Sequence, residues 1–245
     1  KHGSKLVLID EDLGKDPLRL AHAIAESRIS CWYSTPSILS LLREYGKLES
    51  HDFSALRSVC FAGEVFPVPR FRALKDRWPH PRYYNLYGPT ETNVCTWYEV
   101  PVDESWQALD SFPIGSICAP NVGRVVDEMG RDVVQGSAGE LVVAGPNVMQ
   151  GYWNLPDQNS RAFLLDSDGK RWYHTGDIVT QDARGQYTYR GRRDRMVKRR
   201  GYRVELGEIE AALLRHPDIR EAAAIALEDA EGAVRVAAFV SCQSN

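Results

Sequence analysis

Residues 82–92 read Arg82-Tyr83-Tyr84-Asn85-Leu86-Tyr87-Gly88-Pro89-Thr90-Glu91-Thr92. The first five residues suit a strand, and Gly88-Pro89 forces a tight turn straight after it. That turn exposes Tyr87, Thr90 and Glu91 at the strand's carboxyl end. An aromatic ring can stack on a base, a threonine hydroxyl can donate to a phosphate oxygen, and a carboxylate can hold a hard cation such as magnesium. The same residues also suit an ordinary turn carrying a surface glutamate.

Upstream, strand-like and helix-like segments alternate. Lys5 to Asp10 reads as a buried strand, and Asp16-Pro17 as an N-cap with proline at the first helical position. Leu18, Ala21, Ile24 and Ala25 share a face of the helix that follows. Ile29–Ser34 and Leu56–Ala62 read as further strands. A helix opening at Pro36, with Ile38, Leu41 and Leu42 on its face, separates them, and another runs from Pro69 to Trp78. This alternation predicts an α/β fold with a parallel sheet layered by helices. Such sheets bind ligands beyond the carboxyl ends of their strands, which singles out the loop Ala62-Gly63-Glu64 as well as the turn after Tyr87.

Downstream of residue 95 short strands take over: Cys95–Val100, Gly123–Asp127, Glu140–Ala144, Trp172–Thr175 and Gln186–Arg190. They predict a β-rich subdomain over about 95–191, following the α/β region over about 1–94. From Arg192 the pattern changes again. A basic strand-like stretch leads into a helix over Glu205–His216, then strands at Glu221–Leu227 and Val234–Ser241. Residues 192–245 therefore read as the start of a small α+β C-terminal domain.

Two further blocks carry chemistry. Tyr173-His174-Thr175-Gly176-Asp177 places an acid after a Thr-Gly pair at a strand end, where it could accept both hydroxyls of a ribose or serve as a turn aspartate. The run Gly191–Glu210 is the densest basic cluster. A nucleic-acid stripe is one reading. Its interleaved acids, with Met196 and Val197, fit better a short hairpin entering a helix, with Gly191 and Gly201 permitting a hinge.

Composition narrows the classes. The 245-residue chain carries a formal net charge of -3, which argues against a chain built as a whole for nucleic acid. No apolar run nears the roughly 18 residues of a membrane helix. Leu6–Ile9 is too short for a signal-peptide core. Cys31, Cys60, Cys95, Cys118 and Cys242 are odd in number and lack metal-ligand spacing, so they read as small buried hydrophobes in a reducing cytoplasm.

Taken in order, and joined by Gly139-Glu140-Leu141-Val142-Val143-Ala144-Gly145 and Gly151-Tyr152, these blocks resemble the adenylate-forming superfamily. The resemblance is to adenylation domains of nonribosomal peptide synthetases and stand-alone amino acid–carrier protein ligases. It implies a middle portion of a longer enzyme. Residues 1–191 would be the later part of the large core, and 192–245 the beginning of a mobile small domain. The family's glycine-rich phosphate loop and the acid that anchors an α-amino group would precede Lys1, and its C-terminal lysine would follow Asn245.

Residue by residue, the resemblance implies that Asn85 faces the adenine amino group, Tyr87 stacks on the ring, and Gly88 forms the turn. Thr90 would touch phosphates, Glu91 would bind Mg2+, and Gly63 would bring backbone close to the adenine of ATP. Asp177, joined by Arg192, would take the ribose hydroxyls. Asp194 falls at the hinge, and Lys198 on a loop that approaches the acyl site after adenylation. The implied activity is ATP-dependent formation of an aminoacyl adenylate, followed by transfer to the phosphopantetheine thiol of a carrier protein. Tyr33, Cys60, Ala62, Leu86, Val94 and Cys95 would line the side-chain pocket, suiting a small or medium apolar amino acid, although some could simply fill the core. The Pro89 form of the turn and the stretch Arg203–Glu210 favour an amino acid over a fatty or aryl acid. An acyl-CoA or aryl-acid ligase, a non-catalytic fragment and a nucleic-acid module are the competing readings. No nucleic-acid or membrane partner is expected. The whole scheme requires Tyr87, Glu91, Asp177 and Arg192 to converge.

Overall fold

The computed structural model describes residues 3–194, 196–229 and 234–242. The chain divides into two compact units, Lys1–Tyr84 with Glu99–Phe112, and Asn85–Tyr98 with Pro113–Asn245.

In the first unit the chain runs α1 (Glu11–Lys15), α2 (Pro17–Glu26), β1 (Cys31–Ser34), α3 (Pro36–Tyr45), β2 (Ser58–Phe61), α4 (Val68–Arg77) and into β3 (Arg82–Tyr87). Helices begin where the sequence supplies caps. The Asp16 carboxylate accepts from the Leu18 and Arg19 amides at 3.1 Å, and Pro17 occupies the first turn, whose N–H has no helical partner to lose. Thr35 caps α3 in the same way ahead of Pro36. Strands β1 and β2 pair in parallel from Cys31↔Ser58 to Ser34↔Phe61. Phe71 of α4 centres the core, meeting Phe66, Tyr83, Trp106 and Phe112 edge-on at centroid separations of 4.8 to 5.7 Å. Such aromatic pairs add about 0.5–1.5 kcal/mol each beyond simple area burial. Trp106 and Phe112 explain why residues 99–112 return to this unit.

The second unit takes the end of β3, most of β4 (Thr96–Glu99), β5 (Ser116–Ile117), β6 (Val122–Val126), β7 (Ala138–Ala144), α5 (Pro156–Ala162), β8 (Phe163–Leu165), β9 (Arg171–Gln181) and β10 (Tyr187–Arg192). One sheet has the order β1-β2-β3-β4-β5, and a second, antiparallel, has β10-β9-β7-β6 with β8 beside β9. Leu141, Val143, Val179 and Tyr187 bury one face of this second sheet against Tyr87, Cys95 and Ile114. After β10 come the hairpin β11 (Met196–Arg199) and β12 (Tyr202–Glu205), helix α6 (Leu206–Leu213), and the hairpin β13 (Ile219–Glu228) and β14 (Val234–Cys242). The fold is thus mixed α/β, with helices around the parallel pair and a β-rich remainder.

Several expectations are corrected. Residues 5–10 form no strand, and Leu6 and Leu8 are 81% and 84% exposed, because an apolar run becomes a buried strand only when a neighbouring strand and layer cover it. On α2 the buried face is Leu20, Ala21 and Ile24, while Leu18 in the first turn points outward. On α3, Leu39 and Leu42 are buried and Leu41 is exposed. All five cysteines are free, but only Cys95 is buried, and Cys31 and Cys242 are exposed. Strand β9 is longer than Trp172–Thr175, running on through Gln181.

Candidate functional site

Strand β3 ends in the turn that the sequence marks. The Thr92 amide donates to the Pro89 carbonyl at 3.0 Å, and the Cys95 amide to the Tyr87 carbonyl at 2.8 Å. Gly88 is required by space, since a Cβ there would lie 1.7 Å from the Asn93 carbonyl oxygen. The turn leaves Thr90 exposed while Glu91 is only 8% exposed. The Met149 amide donates to the Glu91 carbonyl at 2.8 Å, fixing the backbone beneath the carboxylate.

Asp177 reaches the same region through a bulge. Strands β7 and β9 pair Glu140 with Ile178 and then Val142 with His174, so Thr175, Gly176 and Asp177 all stand opposite Leu141. Bulges re-aim side chains in this way. The Thr175 hydroxyl secures the bulge by donating to the Leu141 carbonyl at 2.7 Å. Gly176 has φ +72°, in the left-handed region, and a Cβ there would meet the Arg192 guanidinium at 2.6 Å. Strand β10 carries its own bulge, which brings Arg192 directly opposite Asp177.

The resulting cluster is tightly bonded. The Tyr87 hydroxyl donates to Asp177 Oδ2, and Arg192 Nη1 donates to Asp177 Oδ1 at 3.0 Å and to the Thr175 carbonyl at 2.8 Å. Arg192 also pairs with both oxygens of Asp194, at 2.8 and 2.6 Å. Burial alone would lower the Arg192 pKa, but the bonds to Asp194 and the charge of Asp177 outweigh it and hold the guanidinium charged. Burial, and then the Asp177 charge, push the Tyr87 phenol well above its usual range, so it remains a donor.

Glu91 is partnered on one side only. Its Oε1 accepts from the Tyr152 hydroxyl at 2.6 Å and pairs with Arg203 Nη1 at 3.4 Å. Its Oε2 is buried without a hydrogen-bond partner among the described residues. A buried carboxylate oxygen with no donor is costly, and an oxygen-seeking cation removes that cost.

Two cations from the β11–β12 hairpin complete the site. Lys198 Nζ lies 5.8 Å from the Tyr87 ring centroid, and Arg203 reaches Glu91. Burial lowers the Lys198 pKa despite the nearby carboxylates Asp177 and Glu91.

The structure therefore brings Tyr87, Asp177, Arg192 and Asp194 into one bonded chain, with Lys198 within electrostatic reach of Asp177 and Glu91. Thr90 and Gly88 lie on the adjoining turn. Asn85 is buried, and its amide nitrogen donates to the Pro113 carbonyl at 2.8 Å. Leu86 and Val94 are half-buried beside fully buried Cys95, whose thiol burial pushes up to about 11. In the first unit Cys60 sits opposite exposed Tyr33 across β1 and β2, and Ala62 and Gly63 follow β2. Tyr152, Arg203 and Glu140 take part in the site although the motifs alone assigned them no role. All three stand in the quoted blocks, Arg203 in the basic run before the helix, and that is their only signal.

The comparisons agree with this architecture. The family described as AMP-binding enzyme matches residues 1–153. An L-proline–L-prolyl-carrier protein ligase of Streptomyces coelicolor is 46% identical over 225 residues, covering 91% of this chain and 41% of the relative. A D-alanine–D-alanyl carrier protein ligase of Lactiplantibacillus plantarum is 36% identical over 229 residues, covering 94% and 45%. The crystal structure of the Vibrio cholerae adenylation domain AlmE in complex with glycyl-adenosine-5'-phosphate superposes with a TM-score of 0.78 at 29% identity, covering 91% of this chain and 43% of that one. The chain spans less than half the length of each of these proteins. With a match over more than half of its residues, this chain belongs to the AMP-binding enzyme family.

Proposed function

We propose that the protein activates the carboxylate of an amino acid with ATP, as an aminoacyl adenylate, and passes the acyl group to the phosphopantetheine thiol of a carrier protein. The observation that carries the reading is the single cluster formed by Tyr87, Asp177 and Arg192 with Glu91 nearby, three anchors and one open carboxylate oxygen. The names of the relatives, which act on proline and D-alanine with carrier proteins, support the choice of substrate and acceptor.

In the first half-reaction a substrate carboxylate oxygen attacks the α-phosphorus of ATP, and the bond to pyrophosphate breaks. Tyr87 and Asn85 would orient the base. Asp177 would accept the ribose hydroxyls. A carboxylate offers about four lone-pair sites, so Tyr87 and Arg192 leave Asp177 capacity for them. Arg192 would keep Asp177 ionised and fixed, and Thr90 would donate to a phosphate oxygen. The donor set fits Mg2+: Glu91 Oε2 would be its protein ligand, and the ion when bound would neutralise charge on the phosphates. In the second half the thiol sulfur attacks the acyl carbonyl carbon, and AMP leaves. Lys198 and Arg203 now lie on Tyr87 and Glu91, so nucleotide entry would displace them. A hinge at Asp194 between β10 and β11 would allow that displacement, with residues 192–245 moving as the start of a small domain.

Leu86, Val94 and Cys95 support a small or medium apolar amino acid. A reaction that consumes ATP and a carrier thiol suits the cytoplasm. Among the described residues no helix is long and apolar enough to cross a membrane. ATP–pyrophosphate exchange by the full-length protein over a panel of acids tests the proposal. Exchange with small apolar amino acids is expected, and exchange only with fatty or aryl acids would overturn it.

A further inference from the structure

Glu140 stands in the block Gly139–Gly145, which no step above uses. It is 5% exposed on β7, yet it is a carboxylate. Burying such a charge is unfavourable unless donors surround it. Here three do, and they come from two places in the chain. Oε1 accepts from the Gly176 amide at 2.9 Å. Oε2 accepts from His174 Nδ1 at 3.0 Å and from Arg193 Nη1 at 3.3 Å.

Those donors sit at sensitive positions. The β9 bulge takes Gly176 out of the strand ladder, so its N–H would lack a partner without Glu140. The Gly176 carbonyl in turn accepts from the Arg193 amide at 2.8 Å. Gly176 precedes Asp177, and Arg193 lies between Arg192 and Asp194. The Arg193 side chain is half exposed, so solvent could support it alone. A neutral acceptor would suffice for one buried N–H, whereas a carboxylate can hold all three donors together.

We propose that Glu140 is a positioning residue that sets the Asp177 carboxylate for the ribose through Gly176. This rests on the nucleotide reading of Asp177 given above. Although burial would push the Glu140 pKa up, its bonds from His174 and Gly176 and the charge of Arg193 hold it below the ordinary glutamate value, in keeping with a permanent acceptor.

The test is ATP–pyrophosphate exchange kinetics and AMP calorimetry on the full-length protein, with Glu140→Gln, Glu140→Met and Arg193→Gln. A glutamine has one acceptor oxygen, so the Gly176 arm competes with the other two. Glu140→Gln should raise the KM for ATP and the Kd for AMP about tenfold, the scale of one charge-assisted hydrogen bond, with the amino acid KM unchanged. Glu140→Met keeps the volume, removes every acceptor and should move both constants further. Arg193→Gln leaves the Gly176 arm intact and should change both less than about twofold. A merely structural role would lower kcat with the folded fraction and leave both KM values alone. That outcome, or an unchanged KM for ATP in folded Glu140→Gln, overturns the proposal. Wild-type protein with neither exchange nor AMP binding removes the nucleotide reading, and this inference with it.

Discussion

Asp177 on the β9 bulge and Glu91 on the turn after β3 are both buried carboxylates, 1% and 8% exposed, yet they are furnished in opposite ways. Each oxygen of Asp177 already has a donor, Tyr87 on one and Arg192 on the other. Glu91 has its donors on one oxygen and, among the described residues, none on the second. A carboxylate that is fully furnished before ligand arrives is a fixed handle, suited to a neutral diol. One left with a bare buried oxygen is suited to a cation that comes and goes with the substrate. Under the proposed function the two chemically identical groups would take two tasks, and substitutions should separate them.

The largest expected effect is from Glu91→Gln, which keeps the Tyr152 bond but removes the charge. Exchange should fall about 10²-fold or more, the scale lost when one electrostatic stabiliser is removed, with little change in Tm. Next is Asp177→Asn, which leaves Arg192 facing a neutral group. Breaking one side of a buried pair costs about 3–5 kcal/mol, so both Tm and AMP binding should fall. A variant that loses only Tm would refute the ribose role. Gly176→Ala should cost about 1–2 kcal/mol in urea unfolding from its left-handed backbone, with crowding of Arg192 in addition. Tyr152→Phe removes a donor from the already furnished Glu91 oxygen and should shift exchange only about tenfold or less.

Acid stability gives a further contrast. The folded pKa of Glu140 is held below 4.5, so its contribution is present above that value and lost as pH falls through the depressed one. The Tm gap between wild type and Glu140→Gln should be full at neutral pH and close below about pH 4.5. A gap that stays constant through that range would contradict the assignment.

The sequence carried the anchors better than their support. Turn chemistry at strand ends marked Tyr87 and Asp177 as candidates beside an ordinary turn reading, and Arg192 came from the family resemblance alone; the structure joins the three side chains directly. The contacts Tyr152–Glu91 and Arg203–Glu91 join residues 61 and 112 positions apart, and no local pattern encodes such pairings. The cap at Asp16 was legible for the opposite reason, since a cap bonds only two or three residues ahead. The misread strand at 5–10 shows the limit of apolar runs, because burial depends on what lies beside them.

Calorimetric titration of AMP into full-length Glu91→Gln tests the division of labour most directly. AMP needs the ribose handle but not the cation, so its Kd should match wild type within about twofold while magnesium-dependent exchange collapses. Loss of AMP binding in step with exchange would contradict the account.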